Sequence, residues 1–356
     1  MKRILVIDTA ASSGGALTVL QDFYKTVCDS DEDIEWIFLL SNHYIAEKEN
    51  IKVIVRPKLK SHIRRLAFDC AIGRRFVKKI NPDVVFSLQN TTLMGIDVPQ
   101  VVYVHQSVPF QSTYKFSFFK KKERYMAVIQ YFLGWFIKCS IRRANCVIVQ
   151  TKWMKDAVIN RCGIAEENVV QIYPTVNKIK KENTCSYHTT NNFFYPTSNT
   201  YYKNIDTLLY ACKRLDAEAL TFRLNITIDG HNTDKIKYLG KISKEEVYRN
   251  YQNSCLVFPS YIETFGYPLV EARACGAIIL ASDCEFSHEL LDDYSNAYFF
   301  AQFDINGLSK LMEKVVLGDI VRKEADIESC GDDAMGNSWI KIVEVLRNYV
   351  NINNLK

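Results

Sequence analysis

Short apolar runs alternate with helix-forming segments along most of this 356-residue chain. Alternation of strands and helices in one chain predicts parallel sheets that are covered by helices on both faces. The expected strands of the first half are Ile4–Asp8, Glu35–Leu40, Lys52–Val55, Val84–Leu88, Val101–His105 and Cys146–Gln150. Segments with apolar residues at helical spacing lie between them, and these are Ala16–Val27, His62–Ile80 and Met154–Arg161.

The alternation weakens over a polar stretch at 175–191 and then resumes. A single hydrophobic core rarely grows beyond about 250–300 residues, so two domains are expected. The resumed pattern comprises the strands Asn192–Tyr195, Leu224–Asp229, Cys255–Pro259 and Ile278–Ala281 and the helices Asn204–Leu215, Lys244–Gln252 and Pro268–Cys275. We therefore predict an α/β fold of two Rossmann-like domains, 1–175 and 176–333, whose parallel sheets face a central cleft. A last helix within 334–356 could return to the first domain.

The segment Phe258–Gly276 is the most informative part of the chain for function. It runs from the end of a strand through a loop that contains Glu263 into a short helix that carries Glu271. Pro268 fits the first helical position, and Gly276 fits the left-handed residue after the helix. Because a helix N-terminus that follows a strand is a favourable place for phosphate groups, this segment predicts an anion site.

Two glutamates in such a context have a common structural explanation, because acidic residues are favoured near a helix N-terminus. The residues around them favour a binding role instead. The segment resembles the Glu-x7-Glu signature of the retaining GT-B glycosyltransferases of family 4, with Pro-Ser at a strand end, Phe-Gly, Pro, Glu-Ala and a closing Gly. The resemblance implies that Glu263, as a catalytic residue, holds the hydroxyls of the donor sugar and that Glu271 holds the ribose. It also implies that the backbone around Phe265, Gly266 and Tyr267 contacts the sugar, and Gly266 would allow a close approach.

Lys203 follows the strand end Tyr195-Pro196, where the resemblance places a lysine that binds the diphosphate. The family often has an arginine five residues earlier, and this chain has Ser198 there, so the usual Arg–Lys clamp is incomplete and the sequence does not identify the second phosphate partner. An exposed lysine without a ligand is the alternative. Gly230, in the pair Asp229-Gly230, also matches the family's donor domain.

Two further candidates lie in the first half of the chain. Ser13, Gly14 and Gly15 follow the first strand, and the resemblance implies that this loop approaches the acceptor or a phosphate group. Its spacing is not Gly-x-Gly-x-x-Gly, which argues against a dinucleotide dehydrogenase. His105 stands at a strand end and resembles the family's catalytic-site histidine, which contacts the donor sugar. A histidine with a purely structural role is the alternative.

The resemblance implies a retaining transfer of a sugar from a nucleotide-diphosphate sugar to a glycan or a lipid-linked saccharide, with surface polysaccharide or lipopolysaccharide synthesis as the expected setting. It implies neither a metal ion nor another cofactor. Two alternatives stay open. One is a GT-B nucleotide-sugar 2-epimerase, which acts on the donor alone, and the other is a non-catalytic sugar-nucleotide-binding subunit of a glycosylation complex.

The eleven cysteines are scattered without a Cys-x-x-Cys pair, which predicts free thiols in a reducing compartment. No cluster of Cys and His suggests a zinc site. The longest apolar run, Met126–Ile137, has twelve residues, whereas a membrane-spanning helix needs roughly 20. We therefore expect a cytoplasmic protein without a spanning segment.

Basic residues are concentrated at 56–79 and 115–143. Such patches suit an anionic membrane surface or a phosphorylated substrate, and no nucleic acid is expected as a partner. Phe116, Phe118 and Phe119 beside Lys120–Lys122 could enter a membrane interface, which would place the protein on the inner face of the membrane. The alternatives are a solvated helix face for the basic residues and a buried core helix for Tyr125–Ile141.

Overall fold

The computed structural model of the chain describes residues 2–12, 14–30, 33–176, 185, 187–324 and 338–353. It divides into two compact units, Met1–Pro174 with Asn337–Lys356, and Thr175–Gly336. Each unit contains one parallel sheet with helices packed on it. The predicted α/β class with two Rossmann-like domains is thus confirmed. Much of the polar stretch predicted as a linker, residues 177–184 and 186, lies outside the described residues.

The first unit is built on a sheet of seven parallel strands. The strands are β1 (Lys2–Asp8), β2 (Ile34–Leu40), β3 (Ile51–Val55), β4 (Val84–Ser87), β5 (Gln100–Val104), β6 (Cys146–Val149) and β7 (Val169–Gln171). Their spatial order is β3-β2-β1-β4-β5-β6-β7. The order reverses between β1 and β4, and the carboxyl ends of strands at such a point are where open α/β sheets bind ligands. The three-residue β7 was not predicted, because its apolar run is too short to recognise.

Seven helices belong to the first unit among the described residues. They are α1 (Gly14–Cys28), α2 (His62–Ala67), α3 (Gly73–Ile80), α4 (Arg124–Ala127), α5 (Gly134–Ile141), α6 (Lys152–Cys162) and α12 (Ser338–Asn353). The last of them packs on α1, where the Trp339 and Phe23 rings lie 5.4 Å apart. Trp339, Ile342 and Leu346 belong to the same apolar core as the strands β1 and β2. The carboxyl-terminal helix thus completes the first unit.

Two helical segments of this unit contain a π-helical turn. The predicted helix His62–Ile80 consists of α2, a π turn at Phe68–Ile72 and α3, because the ladder of i→i−4 hydrogen bonds is interrupted there. The second segment, which we call the 124–141 helix, consists of α4, a π turn at Val128–Leu133 and α5. It buries one face only, so the interpretation as a fully buried core helix is wrong for its other face.

The second unit has a sheet of six parallel strands in the order β10-β9-β8-β11-β12-β13. The strands are β8 (Asn192–Tyr195), β9 (Arg223–Ile226), β10 (Ile236–Tyr238), β11 (Cys255–Phe258), β12 (Ile279–Ser282) and β13 (Ala297–Phe300). The edge strands β10 and β13 were not predicted. The side chains of β10 are half-buried or exposed and include Lys237, so this strand lacks the continuous apolar run that marks a central strand. β13 is apolar throughout, but it is only four residues long and its side chains are mostly half-buried.

Five helices cover this second sheet in the described part of the chain. They are α7 (Ile205–Ala217), α8 (Lys244–Asn253), α9 (Tyr267–Ala274), α10 (Glu285–Leu291) and α11 (Ile305–Leu317). α8 begins with a capping box, in which the Ser243 hydroxyl accepts from the Glu246 amide and the Glu246 carboxylate accepts from the Ser243 amide. That arrangement fixes the start of α8 beside the loop that follows β10.

None of the described helices combines the length and the apolar composition that crossing a bilayer requires. The cysteines in the described residues are free thiols, and seven of the ten are buried. Burial raises the pKa of the Cys146 thiol to about 12 and that of Cys162 to about 11. These buried thiols therefore pack as small apolar side chains and do not act as thiolates.

Candidate active site

Lys203 and Glu263 form an ion pair at the carboxyl ends of β8 and β11. The Lys203 Nζ lies 2.5 Å from the Glu263 Oε1. The side chains are 16% and 14% exposed, so both are largely withdrawn from water. A charge pair with this little exposure interacts more strongly than an exposed pair, because solvent screens it less. The structure thus brings together the residues predicted to hold the phosphate and the donor sugar.

Hydrogen bonds join the two loops that carry this pair, which follow β8 and β11. The Tyr195 hydroxyl donates to the Lys203 carbonyl oxygen at 2.8 Å, which fixes the turn after β8. Ser260, which follows β11, donates its hydroxyl to the Glu263 Oε1 at 2.7 Å. The Tyr261 amide donates to the Tyr202 carbonyl oxygen at 3.2 Å. Glu263 is therefore held by a serine as well as by the lysine, and both loops keep a defined position.

The helix α9 begins one residue earlier than predicted, at Tyr267, so Pro268 occupies the second helical position and not the first. Gly266 precedes it with a φ of 93°, a left-handed conformation that disfavours other residues. A Cβ at this glycine would lie no closer than 3.4 Å to another side chain. Backbone conformation, and not a lack of space, therefore requires this glycine. Gly276 has a φ of 75° after the end of α9, as predicted.

Glu271 lies on α9 against α8. The Tyr251 hydroxyl donates to its Oε2 at 3.2 Å. Burial raises the pKa of Glu271, while the charge of Lys244 and the hydrogen bond from Tyr251 partly offset this effect. The two glutamates of the signature therefore have different surroundings. Glu263 has a cation and a serine as partners, and Glu271 has a phenol.

Phe265 and Tyr267 flank Gly266 and differ in exposure. The Phe265 ring is buried, whereas the Tyr267 ring is exposed, and their centroids lie 5.1 Å apart in an edge-to-face contact. The buried ring anchors the start of α9. The Tyr267 ring remains available to a ligand on its exposed side.

A pocket of about 560 Å³ lies at the carboxyl ends of β8, β9 and β10. Ligand pockets of small-molecule sites typically measure roughly 300–1,000 Å³. Its lining comes from the loops after these strands and from α8, and consists of Pro196, Thr197, Ser198, Asn199, Lys203, Thr227, Ile228, Asp229, Gly240, Lys241, Ile242 and Val247. The Lys203–Glu263 pair thus stands beside a cavity, on its Lys203 side.

Sequence reasoning missed Lys241, Thr197 and Thr227 in this lining. The Thr197 amide donates to the Thr227 hydroxyl oxygen at 2.7 Å, which joins the loops after β8 and β9. Lys241 follows β10, and that strand was not recognised, so the rule that ligands bind after strand ends could not select it. Gly230 is not part of the lining. Its Cβ would lie 2.4 Å from the ring of Tyr238, so packing against that ring requires a glycine there.

His105, Gly14 and Gly15 belong to the first unit. The His105 amide donates to the Asn90 Oδ1 at 2.7 Å, and burial lowers the pKa of the imidazole to about 4. This histidine is therefore neutral at pH 7 and can exchange hydrogen bonds with a hydroxyl. Gly14 has a φ of 61° at the start of α1, and both glycines are exposed. Ser13 lies outside the described residues.

Two buried carboxyl groups of the first unit were not predicted as a site. Asp8 ends β1 and accepts from the Ala11 amide at 3.1 Å, and Asp69 accepts from the Thr91 hydroxyl at 2.8 Å. Burial raises the pKa of each to about 7, although the charge of Arg65 opposes this shift at both. Both side chains are internal and bonded to the protein. Their hydrogen-bond partners, Ala11 and Thr91, belong to the same unit.

Within the described part of the chain, no group of three or more His, Cys, Asp or Glu side chains is placed to hold a metal ion. The side chains that could hold a phosphate group are instead cationic. Lys203 and Lys241 are the two lysines in the lining of the pocket. The expected independence of a metal stays a prediction.

Two family models match the chain. Residues 13–178 match Glycosyltransferase Family 4, and residues 177–329 match Glycosyl transferases group 1. A curated relative, the O-antigen chain mannosyltransferase RfbU of Salmonella typhimurium, is 28% identical over 204 residues. That match covers 54% of this chain and 54% of the relative, so the chain aligns with about half of the length of that relative.

Solved structures resemble the whole chain. The lipopolysaccharide outer core galactosyltransferase WaaB has a TM-score of 0.67 at 15% identity, with 98% of this chain and 99% of that chain covered. Anabaena HepE, solved with UDP and glucose, has a TM-score of 0.62 at 14% identity, with 98% and 100% covered. At these identities the likeness shows the fold. With both family models matched in succession and this fold, the chain belongs to the glycosyltransferases of the GT-B fold, with a family 4 domain followed by a group 1 domain.

Proposed function

We propose that the chain transfers a sugar from a nucleotide-diphosphate sugar to a saccharide acceptor, with retention of the anomeric configuration. The observation that carries this proposal is the contact of Lys203 with Glu263 beside the pocket at the ends of β8, β9 and β10. A cation for the diphosphate and a carboxylate for the sugar hydroxyls stand next to each other. The donor requires such an arrangement, because its diphosphate is bonded directly to its sugar.

Donor binding exchanges the partners of this ion pair. The Lys203 ammonium pairs with the diphosphate oxygens as a point charge, and the Glu263 carboxylate accepts hydrogen bonds from the sugar hydroxyls. Ser260 keeps Glu263 in position during this exchange, because its hydroxyl donates to the same carboxylate oxygen. In this proposal the nucleotide occupies the pocket. The structural neighbour from Anabaena was solved in complex with UDP, which supports a nucleotide as ligand. Lys241 lines the same pocket and adds a positive charge on the side where Ser198 supplies none.

Glu271 accepts hydrogen bonds from the ribose hydroxyls in this proposal. Its Oε2 already accepts from Tyr251, and a carboxylate has acceptor sites for further donors. The raised pKa of Glu271 shows the cost of burying its charge without a cation in direct contact. Two ribose hydroxyls would reduce this cost, because they stabilise the ionised form.

The chemical step is a displacement on one face of the donor sugar. The bond between the anomeric carbon and the phosphate oxygen breaks, and a bond from the acceptor hydroxyl oxygen forms on the same face. The hydroxyl proton passes to the leaving phosphate oxygen. Lys203 and the N-terminus of α9 stabilise the charge that develops on the diphosphate. His105, which is neutral at pH 7, is the candidate for a hydrogen bond with a sugar hydroxyl.

The proposed acceptor is a growing glycan or a lipid-linked saccharide in the synthesis of a surface polysaccharide or lipopolysaccharide, in the cytoplasm. The support is the named activity of the Salmonella relative, an O-antigen chain mannosyltransferase. The second support is the family to which the chain belongs. The sugar and the base of the donor remain for experiment to identify.

The first experiment screens UDP, GDP and dTDP for an increase in the thermal unfolding midpoint, in wild type and in Lys203→Ala. One nucleotide should stabilise the wild type and lose most of this effect in the variant. The matching sugar nucleotides are then incubated with and without saccharide acceptors, and the products are analysed. A new glycosidic bond of retained configuration supports the proposal. Epimerised donor without acceptor would identify a 2-epimerase, and nucleotide binding without turnover would identify a binding subunit.

A further inference from the structure

Half of the large apolar side chains that are exposed in the described residues lie in one short part of the chain. Of fourteen such side chains in the described residues, seven lie between 118 and 135. Phe119 is 93% exposed and Trp135 is 66% exposed. The set comprises Phe118, Phe119, Tyr125, Val128, Tyr131, Phe132 and Trp135. A concentration of this kind on a protein surface marks an interaction site, whereas scattered exposed residues do not.

The 124–141 helix presents these side chains along one face. Tyr125, Val128, Phe132 and Trp135 follow one another at steps of three, four and three residues, which is the spacing of a helical stripe. On the opposite side Ala127, Ile137 and Ile141 are buried in the first unit. The Phe118 ring lies 5.7 Å from the ring of Tyr131, so the preceding loop extends the stripe. We call this set the aromatic face.

The surroundings of the aromatic face are cationic. Residues 115–143 contain eight basic residues and one acid, Glu123, which is 1% exposed and accepts from the Tyr114 hydroxyl and the Ser117 amide. The stretch 56–79, whose Arg65 interacts electrostatically with Tyr125, holds nine basic residues and one acid, Asp69, which is 2% exposed. Both acids are thus removed from the surface by burial. Lys121, Lys122 and Arg124 are exposed beside the aromatic side chains.

The geometry points to the aromatic face as a docking surface for an anionic phospholipid bilayer. Tyr, Trp and Phe are the side chains that enter the interfacial layer of a membrane, and basic residues around them are attracted to anionic headgroups. No exposed acid lies in 115–143, so the aromatic side chains are surrounded by cations alone, which complements the anionic headgroups of such a bilayer. Phe116, which the sequence grouped with this surface, is buried and takes no part. This inference goes beyond the proposed transfer reaction and does not depend on it.

Trp135 provides a direct optical test. The other three tryptophans, Trp36, Trp153 and Trp339, are buried, so a change of environment at the surface is reported by Trp135 alone. Vesicles of equimolar phosphatidylcholine and phosphatidylglycerol should shift its emission to shorter wavelength, and vesicles of phosphatidylcholine should not. Trp135→Phe should still float with the anionic vesicles and lose the shift.

Flotation of variants measures the contribution of the basic residues and that of the aromatic side chains separately. Lys121→Gln/Lys122→Gln should lower partitioning about 30-fold, because each basic residue near an anionic surface contributes roughly a fivefold factor. Phe119→Ser/Phe132→Ser/Trp135→Ser should lower it roughly 100-fold, if each aromatic side chain contributes about half of its full burial free energy. Tyr210→Ser/Leu317→Ser removes two exposed apolar side chains of the second unit and should float like wild type.

The nucleotide-induced rise in unfolding temperature should be equal in all these variants, which separates loss of docking from loss of fold and from failure of the proposed function. Equal flotation of the aromatic variant and the wild type would overturn the inference, and so would absence of wild-type binding to the anionic vesicles. Sedimentation supplies a further outcome against it. If the wild type forms dimers and the aromatic variant does not, the face is a contact between two copies of the chain.

Discussion

The two units handle their charged side chains in different ways. In the second unit, Glu263 and Lys203 neutralise each other beside a pocket, and both can exchange this contact for groups of a ligand. In the first unit, Asp8 and Asp69 are internal and bonded to the protein, while the cations of the helical segments lie at the surface. A strand-end carboxylate is thus a candidate for ligand binding when its partner is also exchangeable. A carboxylate with only internal partners serves the fold.

The largest effect is expected at the exchangeable pair. Lys203→Met should lower kcat/KM for transfer by about 10²–10³-fold, because the charge of the leaving diphosphate loses its cation. Glu263→Gln should lower it by a comparable factor. The control Lys213→Met removes a cation of α7 that lies over the Tyr210 ring, away from the pocket lining, and should leave kcat/KM unchanged. Full activity of Lys203→Met would show that the pair is structural, and the comparison between the units would fail.

The internal carboxyl groups should affect stability and not chemistry. The pKa of Asp69 is raised to about 7 in the folded protein, so between pH 5 and pH 7 the unfolded chain has already lost this proton while the folded protein retains it. Stability therefore falls as pH rises through this window. In the wild type, Asp69 should lower the free energy of unfolding by about 2–3 kcal/mol between pH 5 and pH 7, at about 1.4 kcal/mol for each pH unit. Asp69→Asn should abolish this part of the decrease.

Chemical denaturation of wild type and Asp69→Asn at pH 5, 6 and 7 measures this difference. Asp97→Asn, at an exposed position of the same unit, is the matched control and should follow the wild-type profile. Parallel profiles of Asp69→Asn and wild type would mean that Asp69 is ionised in the folded protein. Its role would then resemble that of Glu263.

Glu271 is intermediate between the two kinds of carboxylate, because it is largely buried and yet proposed to meet the ribose. Glu271→Gln should raise the KM for the donor about tenfold, the equivalent of roughly 1.4 kcal/mol from hydrogen bonds to a charged group. Tyr251→Phe removes only the phenol contact and should change KM less. A Glu271→Gln variant with unchanged KM but a lower unfolding temperature would place this residue with the internal carboxyl groups.

The smallest effect is expected at an exposed pair of carboxylates in the second unit. Burial opposes the charge of His288, but its hydrogen bonds with Asp292 and Asp283 outweigh burial and raise its pKa. A raised histidine pKa stabilises the fold at low pH, and this contribution is lost as pH rises through the folded-state pKa. Because the imidazole is 38% exposed, Asp283→Asn should cost only about 0.5 kcal/mol at pH 5 and nothing measurable at pH 9. Chemical denaturation of wild type and Asp283→Asn at these two pH values measures the difference in the free energy of unfolding.

Local sequence signals predicted the central strands and the ends of the site helix well. β8 and β11 have four consecutive residues that are mostly or fully buried, and a continuous apolar run of this kind is readable without a structure. Gly266 and Gly276 have positive φ values, which explains why glycine stands at both positions. The edge strand β10 escaped prediction because Lys237 interrupts its apolar residues. Lys241 was missed with β10 for the same reason.

The α/β alternation, the two-domain organisation and the residue types of the site follow from the amino-acid sequence, because periodicity and spacing are local properties. The contact of Lys203 with Glu263 depends on the tertiary structure, since 60 residues separate them and only sheet pairing and the hydrogen bonds between their loops bring them together. The exposure of the aromatic face of the 124–141 helix also depends on the tertiary structure. An apolar helix segment is compatible with burial on one side or on both, and only the packing of its neighbours chooses between them.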